Sequence, residues 1–297
     1  MSITPTSGRI IPRLRKGTIL SLLEKDTRLD GRRLNEYREV VVAPGVIPKA
    51  EGSALAKIGS TTAIAGVKIG VGTPFPDTPD EGVLTVNVEF VPLASPTLEP
   101  GPPDENAIEI ARVIDRCLRE IRAVDIGKLV IIPGEKVYII WLDIYILDHD
   151  GNVLDASMLA GMAALLNTKL PKVEIDEKKN VKIVREETTP LPINHKVVTV
   201  SIAKIGNKLI VDPNLDEDDI IDAKITIGIS DDGRIVGLQK AGSGVFTYDD
   251  LKLAMEYAKE NAAKLLRILE EKRSTMVGLD GVLKSYIEGK ILKHQVI

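Results

Sequence analysis

Apolar and polar residues alternate along several stretches of the first half of the chain, with the period of two that is typical of β-strands. Two of these stretches are separated only by Gly59 and Ser60, which predicts a β-hairpin. A second hairpin turn is predicted at Asp150-Gly151, after a long apolar run. The strands predicted in this way are 38–43, 53–58, 61–68, 83–90 and 136–147.

Three other stretches have the apolar spacing of helices. A proline-rich loop at 92–103 is followed by a predicted helix over 105–123, with Asp104 as its N-cap. The stretch 156–167 consists of small and apolar residues on every side, so this helix is expected to be buried. A long helix is predicted over 248–271, where Thr247 and Asp250 have the spacing of a capping box.

A four-residue segment occurs twice, and it suggests that the chain contains two related halves. Ala56-Lys57-Ile58-Gly59 recurs as Ala203-Lys204-Ile205-Gly206, each time at the end of a predicted strand. The Asp150-Gly151 turn has a counterpart at Asp232-Gly233, and each is followed later by a helix. We therefore predict an α+β fold of two related βα halves, with mixed sheets packed on helices and a polar link at 176–192.

Composition narrows the functional classes. The 297 residues carry a net charge of −4, and only 3% are aromatic, so neither a basic surface nor base-stacking platforms are expected. No run of about 18 apolar residues occurs, and the first eight residues lack the apolar core of a secretory signal. Cys117 is the one cysteine and the three histidines are far apart, so we expect a cytoplasmic protein with no metal and no cofactor.

The helix predicted at 105–123 carries a stripe of arginines opposite an apolar face. Arg112, Arg116 and Arg119 have i, i+4, i+7 spacing, and Arg122 lies a little to one side. One interpretation is a solvated face, in which Asp115 pairs with Arg119. The other interpretation is that the stripe binds a polyanion. Like charges at i, i+4 repel each other unless an anion lies between them, and the planar guanidinium group can form paired hydrogen bonds with a phosphate. The apolar face consists of Ile110, Val113, Ile114, Cys117 and Ile121.

Five acidic residues crowd a short segment before a predicted strand at 225–229. Carboxylates at this density could bind a divalent cation or supply a general acid, but a charged, solvated loop has the same pattern. Lys224 bears on the choice because an ammonium group beside the cluster would compete with a metal ion. The acidic residues are Asp216, Glu217, Asp218, Asp219 and Asp222.

Over residues 10–272 the sequence resembles the ribonuclease PH-like family, and most closely the non-catalytic ring subunits of archaeal exosomes. The segments that carry the resemblance are RLDGR (28–32), EGSA (51–54), PGPPDENAIEIARVIDRCLREIR (100–122), WLDIYILDHDGNVLDA (141–156) and LDEDDIIDAK (215–224). The resemblance implies an N-terminal arm (1–28), a first ribonuclease PH-like subdomain (29–190), a second one (191–272) and a C-terminal tail (273–297). Within the tail, Ile287, Ile291 and Leu292 suggest a short amphipathic helix.

The resemblance also bears on chemistry, because the family degrades RNA from its 3′ end with inorganic phosphate as the nucleophile. Its catalytic archaeal members have a segment of the form ED-x-x-x-x-AD, but here Ala223 is followed by Lys224. Our alignment places Met158 where those members have a phosphate-binding arginine, and a thioether cannot bind an anion in that way. The resemblance therefore implies an RNA-binding structural subunit without catalytic residues of its own, which helps to shape its partner's active site.

The partners implied by the resemblance are a catalytic ribonuclease PH-like subunit, RNA-binding cap subunits and single-stranded RNA. Three subunits of each ring type would alternate around a central RNA path, and Arg112, Arg116, Arg119 and Arg122 would contact the RNA. One alternative is that this chain is itself a phosphate-dependent 3′ to 5′ exoribonuclease that uses Asp218, Asp222 and a divalent metal. A small-molecule kinase is a further alternative, which rests on fold analogy alone.

Overall fold

The computed structural model describes residues 10–177 and 179–273. Its helices are α1 (Ile10–Leu23), α2 (Glu105–Glu120), α3 (Val153–Leu166), α4 (Leu215–Asp218) and α5 (Tyr248–Arg273). Its strands are β1 (Val40–Pro44), β2 (Gly52–Ile58), β3 (Thr61–Gly72), β4 (Val83–Phe90), β5 (Val130–Ile132), β6 (Lys136–Asp148), β7 (Lys169–Ile175), β8 (Val181–Pro190), β9 (Val197–Ile205), β10 (Lys208–Val211), β11 (Ala223–Ser230) and β12 (Ile235–Ala241).

Two sheets form the framework of the described chain. The first has the strand order β1-β2-β3-β6-β4, with β5 added beside β6, and it is mixed because β4 runs parallel to β6. The second is antiparallel, in the order β10-β9-β11-β12. A separate two-stranded ribbon is formed by β7 and β8. The predicted α+β fold is confirmed, although the stretch predicted as a link at 176–192 contains β8.

The helices α3 and α5 pack between the two sheets. Helix α3 contacts β2 and β3 on one side and β9 on the other, and α5 contacts β9, β11 and β1. Most residues of α3 are buried, as its uniformly apolar sequence predicts. Close approach is possible at Gly52, where a Cβ atom would lie 2.6 Å from the carbonyl oxygen of Ala164. The two halves therefore share one hydrophobic core.

The repeated segment has the predicted role in both halves. Gly59 and Gly206 each have a positive φ, of +58° and +59°, at the turn of an antiparallel hairpin. Of the other two predicted hairpin turns, the one at Asp232-Gly233 is correct and the one at Asp150-Gly151 is wrong. Asp232-Gly233 joins β11 to β12 in a hairpin, but Asp150-Gly151 leads from β6 directly into α3. A Cβ on Gly151 would lie 2.5 Å from the backbone of Asn214, so tertiary packing sets this turn.

The end of α1 packs against the second sheet. Ile19 and Leu23 are buried among Ala203, Ile205 and Ile210. The predicted boundary at residue 28 stays a prediction, as do the other subdomain limits. The amphipathic helix predicted around Ile287 lies outside the described residues, together with the rest of the tail after residue 273.

A buried ionic network joins the two halves. The guanidinium of Arg28 is fully buried and binds both carboxylate oxygens of Glu217 and, at 2.6 Å, the carbonyl oxygen of Val211. Asp212 accepts hydrogen bonds from Arg38 at 2.8 Å and from Arg32 at 3.0 Å. Burial on its own would raise the pKa of Asp212, but the hydrogen bonds from Arg38 hold that pKa below its usual range. The RLDGR motif thus contributes to the fold.

Among the helices within residues 10–177 and 179–273, none has the length and apolar character that crossing a membrane requires.

Candidate nucleic-acid interface

Helix α2 lies across the edge strands of both sheets, β4 and β12. Asp104 caps the helix as predicted, since its carboxylate accepts a hydrogen bond of 2.8 Å from the Ala107 amide. Cys117 faces β11 and β12 at Gly228 and Gly237, where a Cβ on either glycine would lie less than 3 Å from its Sγ atom. Burial raises the pKa of the Cys117 thiol to about 11. This packing fixes which side of α2 faces outward.

Arg112 and Arg116 lie on the outward side of α2, and both are exposed. Neither guanidinium makes a hydrogen bond or an ion pair with any residue that the structure describes. The two cations are one helical turn apart, an arrangement that is mildly unfavourable unless an anion lies between them. The structure therefore leaves a pair of positive charges without internal compensation.

Arg119 and Arg122 have a different environment. Arg119 donates through Nε to both oxygens of Asp115 at 2.9 Å, and through Nη2 to the Leu84 carbonyl oxygen at 2.7 Å. Helix α2 ends at Glu120, three residues earlier than predicted, so Arg122 lies beyond the helix with a φ of +51°. Its side chain is 71% exposed, and its guanidinium lies 3.4 Å from Glu81. The predicted stripe of four arginines is thus divided into an uncompensated pair and a partnered pair.

A groove of about 550 Å³ runs between α2 and β4 beside the unpaired arginines. Arg112 and Arg116 line it from the helix, and Thr85 and Asn87 line it from the strand. The sequence identified 83–90 as a strand but did not identify Thr85 or Asn87 as site residues. Their alternate positions in a strand were visible, but their proximity to α2 depends on the tertiary fold.

A second cavity, of about 260 Å³, lies on the other side of α2 and contains Asp218 and Lys224. The Lys224 ammonium group lies 3.0 Å from a carboxylate oxygen of Asp218, and both side chains are about three-quarters buried. Among the residues that the structure describes, Lys224 is the only lysine or arginine that lines the cavity. The pair is therefore internally neutralised, as expected from a cation beside the acidic cluster.

The structure places Met158 elsewhere than we expected. Its side chain is fully buried in the core from the middle of α3, and it does not line the cavity of Asp218. The residues of α3 that reach this cavity are Val153 and Leu154, because the helix begins at Val153, three residues earlier than predicted. The expectation that Met158 lies beside Asp218 is therefore wrong, whereas its alignment with the phosphate-binding arginine of catalytic members stays a prediction.

The rest of the acidic cluster is dispersed among structural contacts. Glu217 is buried against Arg28 and forms a capping box with Asn214. Asp216 pairs with Arg15 at 2.8 Å. Asp222 accepts a hydrogen bond of 2.7 Å from the Gly206 amide and does not line the cavity of Asp218. Asp218 and Asp222 therefore do not line the same cavity.

One histidine does lie beside two carboxylates, which its sequence position did not indicate. His195, Asp231 and Asp232 have potential ligand atoms within 4.8 Å of one another. Arg234 already contacts two of the three: it donates to Asp232 at 2.7 Å and lies 3.3 Å from Nε2 of His195. Hydrogen bonds from Arg234 and Ser230 hold the pKa of Asp232 below its usual range. The cluster thus already holds a cationic partner, and the expectation of no metal stays a prediction.

Comparison with known proteins gives consistent matches along the chain. Domain 1 of the 3′ exoribonuclease family matches residues 36–171, and domain 2 matches residues 195–261. The protein named exosome complex component Rrp42 from Sulfurisphaera tokodaii is 54% identical over 91% of this chain and 98% of its own length. The protein of the same name from Aeropyrum pernix is 52% identical over 91% of this chain and 99% of its own length.

Solved structures give the same result. An Archaeoglobus fulgidus exosome with RNA bound to the active site contains a chain that superposes with a TM-score of 0.81 at 46% identity. This match covers 87% of the present chain and 99% of the other. A chain of an archaeal exosome core superposes with a TM-score of 0.77 at 41% identity, over 88% of the present chain and 98% of the other.

Proposed function

This chain belongs to the 3′ exoribonuclease family, and on that basis we propose that it is a non-catalytic, RNA-binding subunit of an archaeal exosome ring. Relatives that share about half of its residues are named as exosome components, and they align over nearly their whole length. In this role the chain forms a ring with a catalytic ribonuclease PH-like subunit and helps to shape that subunit's active site. RNA is then degraded from its 3′ end by phosphorolysis in the catalytic subunit.

The observation that carries the non-catalytic role is the ion pair between Asp218 and Lys224. A phosphorolytic site must hold inorganic phosphate beside the RNA, and this requires cationic groups that are free to bind it. Among the described residues that line the cavity, Lys224 is the one lysine or arginine, and the Asp218 carboxylate already matches its charge. The alternative of an active enzyme that uses Asp218 and Asp222 with a metal is not favoured, because Asp222 is engaged elsewhere.

The RNA-binding role rests on the four arginines that lie on α2 or just after it. Arg112 and Arg116 are the principal contacts in this proposal, because both are exposed and neither has an anionic partner among residues 10–177 and 179–273. Arg119 and Arg122 contribute to the same positive surface while remaining bound to Asp115 and Glu81. Such contacts hold the phosphate backbone without reading its sequence. A net charge of −4 is compatible with this role, because the positive charge is local.

The experiment that tests the catalytic assignment uses the purified chain alone. We expect no phosphate-dependent shortening of poly(A) by the isolated chain, and shortening once the catalytic ribonuclease PH-like subunit is added. Robust shortening by the isolated chain, lost on Asp218→Ala, would contradict the proposal.

The assembly is part of the same proposal: three copies of this chain alternate with three catalytic subunits, and RNA-binding cap subunits deliver RNA to the ring. Mass measurement of the complex reconstituted from both ring subunits tests the three-plus-three ring, and co-purification tests the caps. A cytoplasmic location also belongs to this proposal, and fractionation of the cells tests it.

A further inference from the structure

The groove between α2 and β4 has two chemically different walls. On the helix wall, Arg112 and Arg116 are separated by about 6 Å along the axis, at ~1.5 Å per residue. On the strand wall, Thr85 and Asn87 are neutral groups that donate and accept hydrogen bonds, and both are half-buried. Ile108, which is 50% exposed, lines the groove between these polar walls.

The strand wall is accessible because β4 is an edge strand. Within the described chain β4 pairs with β6 on one side and with no strand on the other, which α2 flanks. The Leu84 carbonyl oxygen faces this open side, since Arg119 donates to it. Main-chain groups of alternate residues point the same way, so those of Val86 also face the groove.

The side chains of the strand wall have hydrogen-bonding capacity to spare. Asn87 donates to Glu89 at 3.0 Å through its amide nitrogen, and its carbonyl oxygen makes no hydrogen bond within the described residues. The Thr85 hydroxyl donates to the Ile140 carbonyl oxygen at 3.2 Å, which leaves its oxygen able to accept. Asp115, the carboxylate that also lines the groove, is bound by Arg119.

We propose that this groove holds a ribonucleotide strand with its phosphates on Arg112 and Arg116 and its ribose 2′-hydroxyls on Asn87 and Thr85. The inference rests on the proposed function, and it adds the residues that distinguish RNA from DNA. Phosphates and riboses alternate along the backbone, so a strand that lies in the groove can present its phosphates to the arginines of one wall and its 2′-hydroxyls to the neutral groups of the other. A free acceptor such as the Asn87 carbonyl oxygen can bind the 2′-hydroxyl, a donor that deoxyribose lacks.

The test uses the ring reconstituted with the catalytic subunit, in buffer without phosphate so that no phosphorolysis occurs. The probes are oligo(A) and oligo(dA) of equal length, and the variants are Asn87→Ala and the isosteric Thr85→Val. We expect each variant to bind oligo(A) about fivefold more weakly, with unchanged binding of oligo(dA). Asn207→Ala, at the exposed β9–β10 turn, is the matched control and should change neither affinity.

A second pair of variants separates this inference from the proposed function. Arg112→Ala and Arg116→Ala should weaken oligo(A) and oligo(dA) alike, because both polymers carry phosphates. If these variants act in this way while Asn87→Ala and Thr85→Val leave the RNA-to-DNA ratio unchanged, the ribose contact is wrong and RNA binding by α2 stands. If the strand variants instead prevent ring assembly, the groove holds a segment of the partner protein, and the inference is also wrong. If no arginine variant weakens either polymer, the proposed RNA-binding role fails.

Discussion

The positively charged groups on the two sides of α2 differ in whether the chain itself supplies them with an anionic partner. On the groove side, Arg112 and Arg116 are exposed and have no anionic partner within the described chain. On the cavity side, Lys224 is partly buried and lies 3.0 Å from Asp218. The same helix therefore separates a surface that needs an anion from a cavity that already contains one.

The comparison indicates which cations serve the fold and which serve a ligand. Arg28 and Arg38 are buried, and each is matched by a carboxylate and by main-chain oxygens. A cation that is fully satisfied within the chain gains nothing from an external phosphate, whereas an exposed, unmatched pair does. By this criterion, Arg112 and Arg116 are the strongest candidates for RNA contact.

The largest expected effect is a loss of stability when the buried ion pair between Arg28 and Glu217 is broken. Arg28→Met leaves Glu217 as an unpaired buried carboxylate, so the free energy of unfolding should fall by about 3–5 kcal/mol. Urea denaturation of the variant and the wild type measures this loss. Arg33→Met, at an arginine that is 84% exposed, is the control and should change stability by less than about 0.5 kcal/mol. A loss below about 1 kcal/mol for Arg28→Met would contradict the structural role.

The next effect concerns the uncompensated pair. The double variant Arg112→Ala/Arg116→Ala should weaken single-stranded RNA binding by the assembled ring about 30-fold or more, with stability unchanged. The slope of log affinity against log salt should become shallower by about 1.4, since each lost phosphate contact contributes ~0.7. Titrations at several salt concentrations measure both quantities. Arg267→Ala, at an exposed arginine of α5, is the control, and an unchanged slope in the double variant would refute phosphate contact.

A smaller effect should follow from reversing the charge in the cavity. Lys224→Asp removes the internal cation beside Asp218 and adds a carboxylate, so we expect the variant to bind Mn²⁺ weakly while the wild type does not. Calorimetric titration of the purified chain with Mn²⁺ tests this expectation. Lys240→Asp, on the exposed part of β12, controls for the change in net charge. Equal Mn²⁺ binding by the wild type would show that Lys224 does not block a cation.

The smallest effect is expected from a change in pH. Acid should lower protein stability through Asp212, whereas RNA affinity should not change around neutral pH. The pKa of Asp212 is lowered in the folded state, so its stabilising contribution is complete above the unfolded value of ~3.9. That contribution is lost as the pH falls through the lower folded value. RNA affinity should stay constant from about pH 6 to 9, because arginine does not titrate there. Unfolding measured below pH 4 and RNA titrations at several pH values from about 6 to 9 test both statements, and a midpoint near neutral pH in RNA binding would contradict the assignment to arginine.

Sequence patterns predicted the parts of the fold that depend on neighbouring residues. The hairpin turns at Gly59 and Gly206 and the Asp104 cap were predicted because the turn glycine and the capping carboxylate lie next to the elements that they define. The turn at Gly151 was wrong because its conformation depends on Asn214, which is distant in sequence. Strand β8 was missed because its exposed ribbon carries many charged residues.

The candidate site was predicted only in outline, because its geometry also depends on residues that are distant in sequence. The spacing of Arg112 and Arg116 indicated a shared face, but the bond from Arg119 to Leu84 depends on how α2 packs against β4. The end of α2 at Glu120 separates Arg122 from that face, and the start of α3 at Val153 brings Val153, and not Met158, to the cavity. Shifts of three residues at helix ends were enough to reassign both sites.

The rate at which the reconstituted ring shortens poly(A) in the presence of phosphate tests the central claim most directly. We predict that rings containing the Asp218→Ala chain shorten poly(A) at the wild-type rate, whereas rings of equal mass containing the Arg112→Ala/Arg116→Ala chain shorten it more slowly at limiting RNA. The opposite result, with activity lost on Asp218→Ala and retained in the arginine variant, would show that this chain supplies chemistry and not RNA contact.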